Sequence, residues 1–252
     1  MTVRRVLVIG MGEVGRRLAG ALAVAGVETV PVTRTEGWDQ ALASGGDPRL
    51  VCIGETQLGA LAPRLRGVSA ASLAFVQNGW IRPELAAFPG HTRGLIWFTS
   101  KGDFFRVLRP SPFSGPLAAG LAAALAAGGI AAEALDDASF RAAEAEKMGF
   151  NCVVGLPLAV HGVTLGEYLE RHGDEARAVF AEAVAVTAQA LGVPVGPGWW
   201  DAFVRAAEPL AWVRSSAPKA LGHRNGAIAR LARELRLAAP ANEGLLAAVG
   251  AA

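Results

Sequence analysis

Apolar and polar positions along the first half of the chain switch period again and again. Val3–Ile9 (VRRVLVI) is a β-branched run and predicts a strand. From Glu13 to Ala25 the apolar residues Val14, Leu18 and Leu22 recur every four positions, which predicts one face of a helix, ended by Gly26. Strand character returns at Val27–Val32, followed by a short helix at Trp38–Ala43 and a buried strand at Leu50–Ile53. A helical stretch at Leu58–Leu65, a strand at Ser72–Gln77 and a short helical piece at Pro83–Ala87 continue the alternation. Strands at Leu95–Thr99 and Phe105–Leu108, a helix at 117–127 and a strand at Ile130–Leu135 complete it. Strands that alternate with helices predict an α/β domain on a doubly wound, mostly parallel sheet.

After Asp136-Asp137 the pattern changes. Helical periodicity continues to the end with almost no strand signal, and Asp137 is the expected N-cap of the first helix. Residues 1–136 are therefore expected to form the α/β domain, and 137–252 a smaller all-helical domain. The 252 residues exceed one bare nucleotide-binding unit and fit two modest domains. The uncharged stretch Pro110–Ala132 is long enough to span a bilayer. It is mostly Ala and Gly and is interrupted by Pro112, Pro116 and Gly128-Gly129, so it reads as a helix, a glycine stop and a strand rather than a membrane segment.

Composition narrows the partners. A net charge of +2 argues against nucleic acid, and 52% hydrophobic with 18% charged residues excludes disorder. Cys52 and Cys152 lie in apolar runs and read as buried thiols of a reducing compartment. The chain runs from Met1 straight into a strand with no leader, so a cytoplasmic protein is expected. Its four His are scattered, and no metal site is expected. Trp80, Trp199, Trp200 and Trp212 are expected to serve packing.

The first turn carries chemistry. Gly10-Met11-Gly12-Glu13-Val14-Gly15 is a G-x-G-x-x-G between a strand and a helix. Gly10 permits the tight turn, Gly12 lets backbone approach a pyrophosphate, and Gly15 lets helix and strand pack closely. The domain is thus expected to be Rossmann-type and to bind a dinucleotide at the helix N-terminus. An NAD-binding chain usually carries Asp or Glu about 20 residues on, for the ribose 2′-hydroxyl. Thr33, Arg34 and Thr35 stand there instead, with Glu36 just beyond. A guanidinium can hold a 2′-phosphate in a bidentate pair, so NADP(H) is the expected cofactor.

Two oxidoreductase classes are excluded. Short-chain dehydrogenases use a Tyr-x-x-x-Lys pair, but the single Tyr, Tyr168, is followed by Arg171 and His172. Lactate-type enzymes pair His with a carboxylate; His172 with Asp174 or Glu175 falls in a polar, Gly-containing segment that reads as a surface turn. Of 24 basic residues only Lys101, Lys147 and Lys219 are Lys. Lys147 and Asn151 are four apart and share a helix face. A Lys at a cleft can donate a proton to a carbonyl oxygen and stabilise the developing alkoxide, and an Arg releases its proton too reluctantly to replace it.

Three further segments, in this order and with these domains, carry a resemblance. They are Gln77-Asn78-Gly79 at a strand end, Lys147-Met-Gly-Phe-Asn151-Cys-Val-Val-Gly-Leu-Pro157, and Ser215-Ser216 followed by Asn225-Gly226-Ala-Ile-Ala-Arg-Leu. With the glycine turn, the chain resembles the ketopantoate reductase (2-dehydropantoate 2-reductase) family. The likeness is strongest at 4–34, 72–82 and 136–160 and weak over 161–214. It implies an NADP-dependent enzyme that reduces a small 2-oxo acid, with Lys147 as general acid. It also implies that Asn151 holds a substrate hydroxyl, Asn78 sits by nicotinamide and substrate, and Ser215 or Ser216 binds the substrate carboxylate. The pattern departs at Gly155, where the family has a second Asn, and over Lys219–Arg224, where a late Glu is missing. Gly54–Gln57 also lacks a Lys often found there. The alternatives are a relative of β-hydroxyacid dehydrogenases or imine reductases, with a similar Lys-x-x-x-Asn helix, and a non-catalytic NADP-binding sensor. Helical second domains of this size often dimerise, so a homodimer is an open expectation.

Overall fold

A computed structural model describes residues 3–33, 38–43, 46–215 and 220–251. The chain divides into two compact units, one of Met1–Gln77 with Ile81–Phe140, the other of Asn78–Trp80 with Arg141–Ala252.

The first unit is built on a seven-stranded sheet. Its strands are β1 (Arg5–Ile9), β2 (Glu28–Val32), β3 (Arg49–Val51), β4 (Leu73–Phe75), β5 (Thr92–Gly94), β8 (Ser111–Ser114) and β9 (Ala132–Ala134), in the order β2-β1-β3-β4-β5-β8-β9. β1 to β5 run parallel, β8 is antiparallel to β5, and β9 is parallel to β8. β2 pairs with one edge of β1 and β3 with the other, so the winding reverses beside β1, where ligands of open α/β sheets bind. Alternation along β1 separates two cores. Val6 and Val8 pack with Leu18 and Leu22 of α1 (Glu13–Val24) and with Leu121 and Leu125 of α5 (Ala118–Ala127). Leu7 and Ile9 face the opposite layer, with α2 (Trp38–Ala43), α3 (Leu58–Leu61) and α4 (Arg82–Leu85) contributing Leu42, Leu58, Leu61 and Leu85. Covering both faces is what a parallel sheet requires.

Two elements differ from the expected pattern. The strand expected at Leu95–Thr99 is displaced: β5 ends at Gly94, before it, and joins the sheet, whereas only Phe98 and Thr99 are strand, in β6 (Phe98–Lys101), which pairs with β7 (Phe104–Val107) in a separate hairpin. β5 is hidden in the sequence because its buried residues are polar. The Thr92 hydroxyl accepts from Leu117 N at 2.9 Å, and Arg93 Nη1 donates to the carbonyls of Phe75 and Gln77 at 3.1 Å each. β8 lies inside the uncharged stretch and was not expected; Ser111 there is fully buried and its hydroxyl accepts from Trp97 N at 3.0 Å. Among the described residues no helix is long and apolar enough to cross a membrane.

From α6 (Asp137–Val153) the chain is helical. Its cap is Asp136 rather than Asp137: the Asp136 carboxylate accepts from Ser139 N at 2.8 Å and from the Ser139 hydroxyl at 2.9 Å. α7 (Leu156–His161), α8 (Leu165–Arg171), α9 (Gly173–Leu191), α10 (Trp199–Ala207), α11 (Asn225–Leu235) and α12 (Pro240–Ala248) follow. α9 packs on α11 and α12. Asn225 and Asn242, both buried, lock that packing. Asn225 Nδ2 donates to the Cys152 carbonyl at 3.2 Å and to Asn242 Oδ1 at 2.9 Å, and Asn242 Nδ2 donates to Glu182 at 2.9 Å. Trp80 is buried and Trp200 packs against Phe180 and Phe203, whereas Trp212 is 51% exposed. His172 joins α8 to α9 and stacks on His161 with ring centroids 4.0 Å apart, a partly buried junction rather than a surface turn.

Candidate functional site

The glycine turn has the geometry its spacing demands. Gly10 has φ +95°, donates its N–H to the Val32 carbonyl at 3.1 Å, and has no room for a side chain beside Ile53. A Cβ on Gly15 would run into the Gly10 carbonyl, so helix and turn touch there. A Cβ on Gly12 would meet nothing within 4 Å: this part of the turn is open. Gly12 is also the N-cap of α1 and caps it with no side chain, which leaves the first N–H groups of a twelve-residue helix available to an anion. The turn therefore fits a dinucleotide pyrophosphate. Met11 and Val14 pack on the core, so their offer to a ligand is backbone.

Glu13 is held beside the turn. The Ser100 hydroxyl donates to one carboxylate oxygen at 2.9 Å and Arg16 to the other at 2.9 Å; the Ser100 bond, then Arg16, keeps the carboxyl below its usual range. Arg17 donates to the Ser100 hydroxyl at 3.0 Å and to the Gly102 carbonyl at 2.8 Å, and lies over the Phe105 ring. The β6–β7 hairpin is thus fastened to the first turns of α1. No local signal points to this pairing, because its partners are more than 80 positions apart. Thr33 follows β2 and is partly buried, whereas Arg34 lies outside the described residues. Burial pushes the Cys52 thiol far up, which keeps it protonated and unreactive. Gln77 ends the strand region with Nε2 donating to the carbonyls of Val51 at 2.8 Å and Ile53 at 3.1 Å.

The second unit gathers the remaining candidates. Gly79 has φ +78°, and a side chain there would strike the His223 carbonyl, which accepts from Trp80 N at 2.7 Å. The Asn78-Gly79 pair is thus docked on the segment before α11, and Asn78 keeps a buried Oδ1 with no hydrogen-bond partner. Lys147 is only 5% exposed, with Nζ 4.5 Å from the centroid of the Phe150 ring. Its face of α6 also carries buried Glu144, three residues earlier, and Asn151, one turn later. Asn151 is 6% exposed and its Nδ2 has no partner. A buried unmet donor and a buried unmet acceptor, on Asn151 and Asn78, are what a polar ligand would satisfy.

Arg224 stands at the head of α11. Its charge draws the Cys152 thiol down against a larger rise from burial, which leaves it at about 12. Ser215 is partly buried and follows Arg214, whose Nη1 donates to the Gly162 carbonyl at 2.9 Å. Ser216 and Lys219 lie outside the described residues. The Asn225-Gly226 element has a structural role through the Asn225 bonds described above. Neither Glu144 nor Arg224 was singled out in the sequence. A Glu three residues before Lys147, on the same helix face, is the signal that could have found the first.

The sequence matches no protein-family model and no curated protein. Its structure does find likenesses. A ketopantoate reductase of the PanE/ApbA family from Ralstonia eutropha JMP134 superposes with a TM-score of 0.79 at 24% identity, over 96% of both chains. The chain has the ketopantoate reductase fold. A 2-dehydropantoate 2-reductase from Methylococcus capsulatus gives a TM-score of 0.78 at 22% identity, over 98% of this chain and 96% of that one. A D-mandelate dehydrogenase in complex with NADH gives 0.78 at 15% identity, over 98% of both. A fold hosts more than one chemistry, so function is argued from the residues.

Proposed function

We propose that the chain is a divergent member of the ketopantoate reductase family and reduces a small 2-oxo acid to the 2-hydroxy acid with NADPH. The observation that carries this is Lys147, a scarce residue type here, buried on one face of α6 with an unsatisfied Asn151 amide. The names of the similar structures add support, since ketopantoate reductases and D-mandelate dehydrogenase both interconvert 2-oxo and 2-hydroxy acids. In this reading residues 1–136 hold the cofactor and 137–252 the substrate.

Backbone of Gly10, Met11, Gly12, Glu13, Val14 and Gly15 holds the pyrophosphate, and Thr33 with Arg34 takes the 2′-phosphate. Bound there, the nicotinamide supplies a hydride to the keto carbon. Lys147 donates its proton to the keto oxygen as negative charge develops on it. Asn151 Nδ2 donates to a substrate oxygen, Asn78 Oδ1 accepts from an amide or hydroxyl, and Ser215 and Ser216 hold the carboxylate.

The test is NADPH oxidation across a panel of 2-oxo acids, with cofactor affinities measured separately. NADPH should bind more tightly than NADH; the reverse order removes Arg34 from the argument. Lys147→Ala should lower kcat by about 10²- to 10⁴-fold while NADPH affinity holds. An unchanged kcat takes Lys147 out of the mechanism, and tight NADPH binding with no turnover on the whole panel makes the protein a sensor.

A further inference from the structure

Arg16 follows the last glycine of the turn and reaches back over it. Its Nη1 donates to the Met11 carbonyl at 3.1 Å and its Nη2 to Glu13 Oε1 at 2.9 Å. Two bonds from the two terminal nitrogens of one planar group fix that plane. Glu13 is held in turn, because its other oxygen accepts from the Ser100 hydroxyl at 2.9 Å, and Arg17 donates to Ser100 at 3.0 Å. The hold on Met11 is thus anchored on the β6–β7 hairpin. Met11 and Gly12 share a trans peptide, whose C=O and N–H point to opposite sides. Arg16 takes the carbonyl side, so the Gly12 N–H faces the other way, and among the described residues it meets no backbone acceptor. Glycine offers little resistance to rotation of that peptide, and a Cβ at Gly12 would meet nothing within 4 Å. A half-turn would replace the outward donor by a carbonyl oxygen. The Glu13 and Arg16 side chains are 44% and 60% exposed, and an exposed pair of this kind adds little to stability; what it fixes is the turn.

We infer that Arg16 is a positioning residue for the cofactor, which holds the Met11–Gly12 peptide by its oxygen so that the Gly12 N–H is aimed at a phosphate oxygen of a bound dinucleotide. The phosphate end of this assignment rests on the dinucleotide reading of the turn; the hold on the peptide does not. The phosphate lies across the peptide from the guanidinium, so Arg16 acts through Gly12 and is not itself a phosphate ligand. A cation on the carbonyl also polarises the amide and strengthens its N–H as a donor. A peptide that turned over would set its oxygen against an anion.

The experiment compares the full chain with its Arg16→Ala variant in two readouts. In the first, the ligand-free proteins are observed by amide NMR spectroscopy. Gly12 should give one sharp signal that broadens or doubles in Arg16→Ala, while the amides of the second unit stay sharp. A single sharp Gly12 signal in the variant overturns the inference. The second readout is affinity, by calorimetry for NADPH and by NMR titration for adenosine 2′-monophosphate, a probe with no pyrophosphate. Arg16→Ala should weaken NADPH about 3- to 10-fold, the worth of one hydrogen bond, and leave the monophosphate unchanged; Arg16→Lys should recover part of the loss. No loss for NADPH, or an equal loss for both probes, overturns the inference. The NADPH deficit should be the same at low and at high salt. A deficit that vanishes at high salt makes Arg16 a direct charge on the phosphates and overturns the positioning role. Failure of the unaltered chain to bind NADPH, NADH or ADP-ribose, with Gly12 broadened in Arg16→Ala, overturns the dinucleotide reading and leaves the hold on the peptide standing.

Discussion

Gly79→Ala asks how firmly the loop that carries Asn78 is docked. Gly79 has φ +78°, where an L side chain costs about 1–2 kcal/mol. Its Cβ would also strike the His223 carbonyl, the acceptor of the 2.7 Å bond from Trp80 N. To relieve that contact the loop must withdraw and give up this bond, a further loss of about 0.5–1.5 kcal/mol. The control is Gly192→Ala in the same unit. Gly192 has φ +64°, but a Cβ there meets nothing within 4 Å, so only the backbone cost applies. Gly79→Ala should therefore cost about 1.5–3.5 kcal/mol, about 0.5–1.5 kcal/mol more than the 1–2 kcal/mol or so of Gly192→Ala. Urea unfolding followed by tryptophan fluorescence reads both as shifts in midpoint at constant slope. Turnover gives an independent readout, because withdrawal of the loop displaces Asn78. kcat/KM should fall in Gly79→Ala and hold in Gly192→Ala. Equal stability losses in the two variants would refute the docking argument.

Asn242→Ala should cost about 3–5 kcal/mol, since it removes a charge-assisted bond to Glu182 and neutral bonds to Val179 and Asn225 from a fully buried site. Chemical denaturation checks it, and a loss under about 1 kcal/mol means the three bonds do not hold α9, α11 and α12 together. Asp136 is an acid-sensitive cap. Backbone and hydroxyl bonds from Ser139 lower its carboxyl below the ordinary value, so its stabilisation is present above that value and lost as pH falls through the folded one. Asp136→Asn removes the charge and keeps a capping side chain. The stability gap between the two proteins should therefore close as the solution is made strongly acidic, and a gap independent of pH sinks the linkage.

Local patterns revealed much of this chain, for physical reasons visible at single residues. The turn at Gly10–Gly15 is legible locally, because a strand end and a helix start stand a few residues apart, although Val32 and Ile53 also close on Gly10 from farther along the chain. The four-residue interval of Lys147 and Asn151 is equally local. β5 and β8 were hidden because their buried members, Thr92, Arg93 and Ser111, satisfy their polar groups through partners far along the chain. The hairpin's Ser100, the Gly79 contact with His223, and Arg224 beside Gly155 are also distant pairings.

By itself the sequence determined the alternation of strands and helices, the change to helices after Asp136, the cofactor turn and the identity of the scarce Lys. Periodicity, glycine spacing and composition are properties of neighbouring residues, and they survive in the one-dimensional order. The tertiary structure decided which polar groups are buried with partners and which without. It set Asn225 and Asn242 in a closed network and left the Asn151 amide and the Asn78 carbonyl unsatisfied. It also brought Arg224 Nη1 to 3.9 Å from where a side chain on Gly155 would begin. Burial and satisfaction depend on what the rest of the chain brings to a position, and no local pattern carries that information.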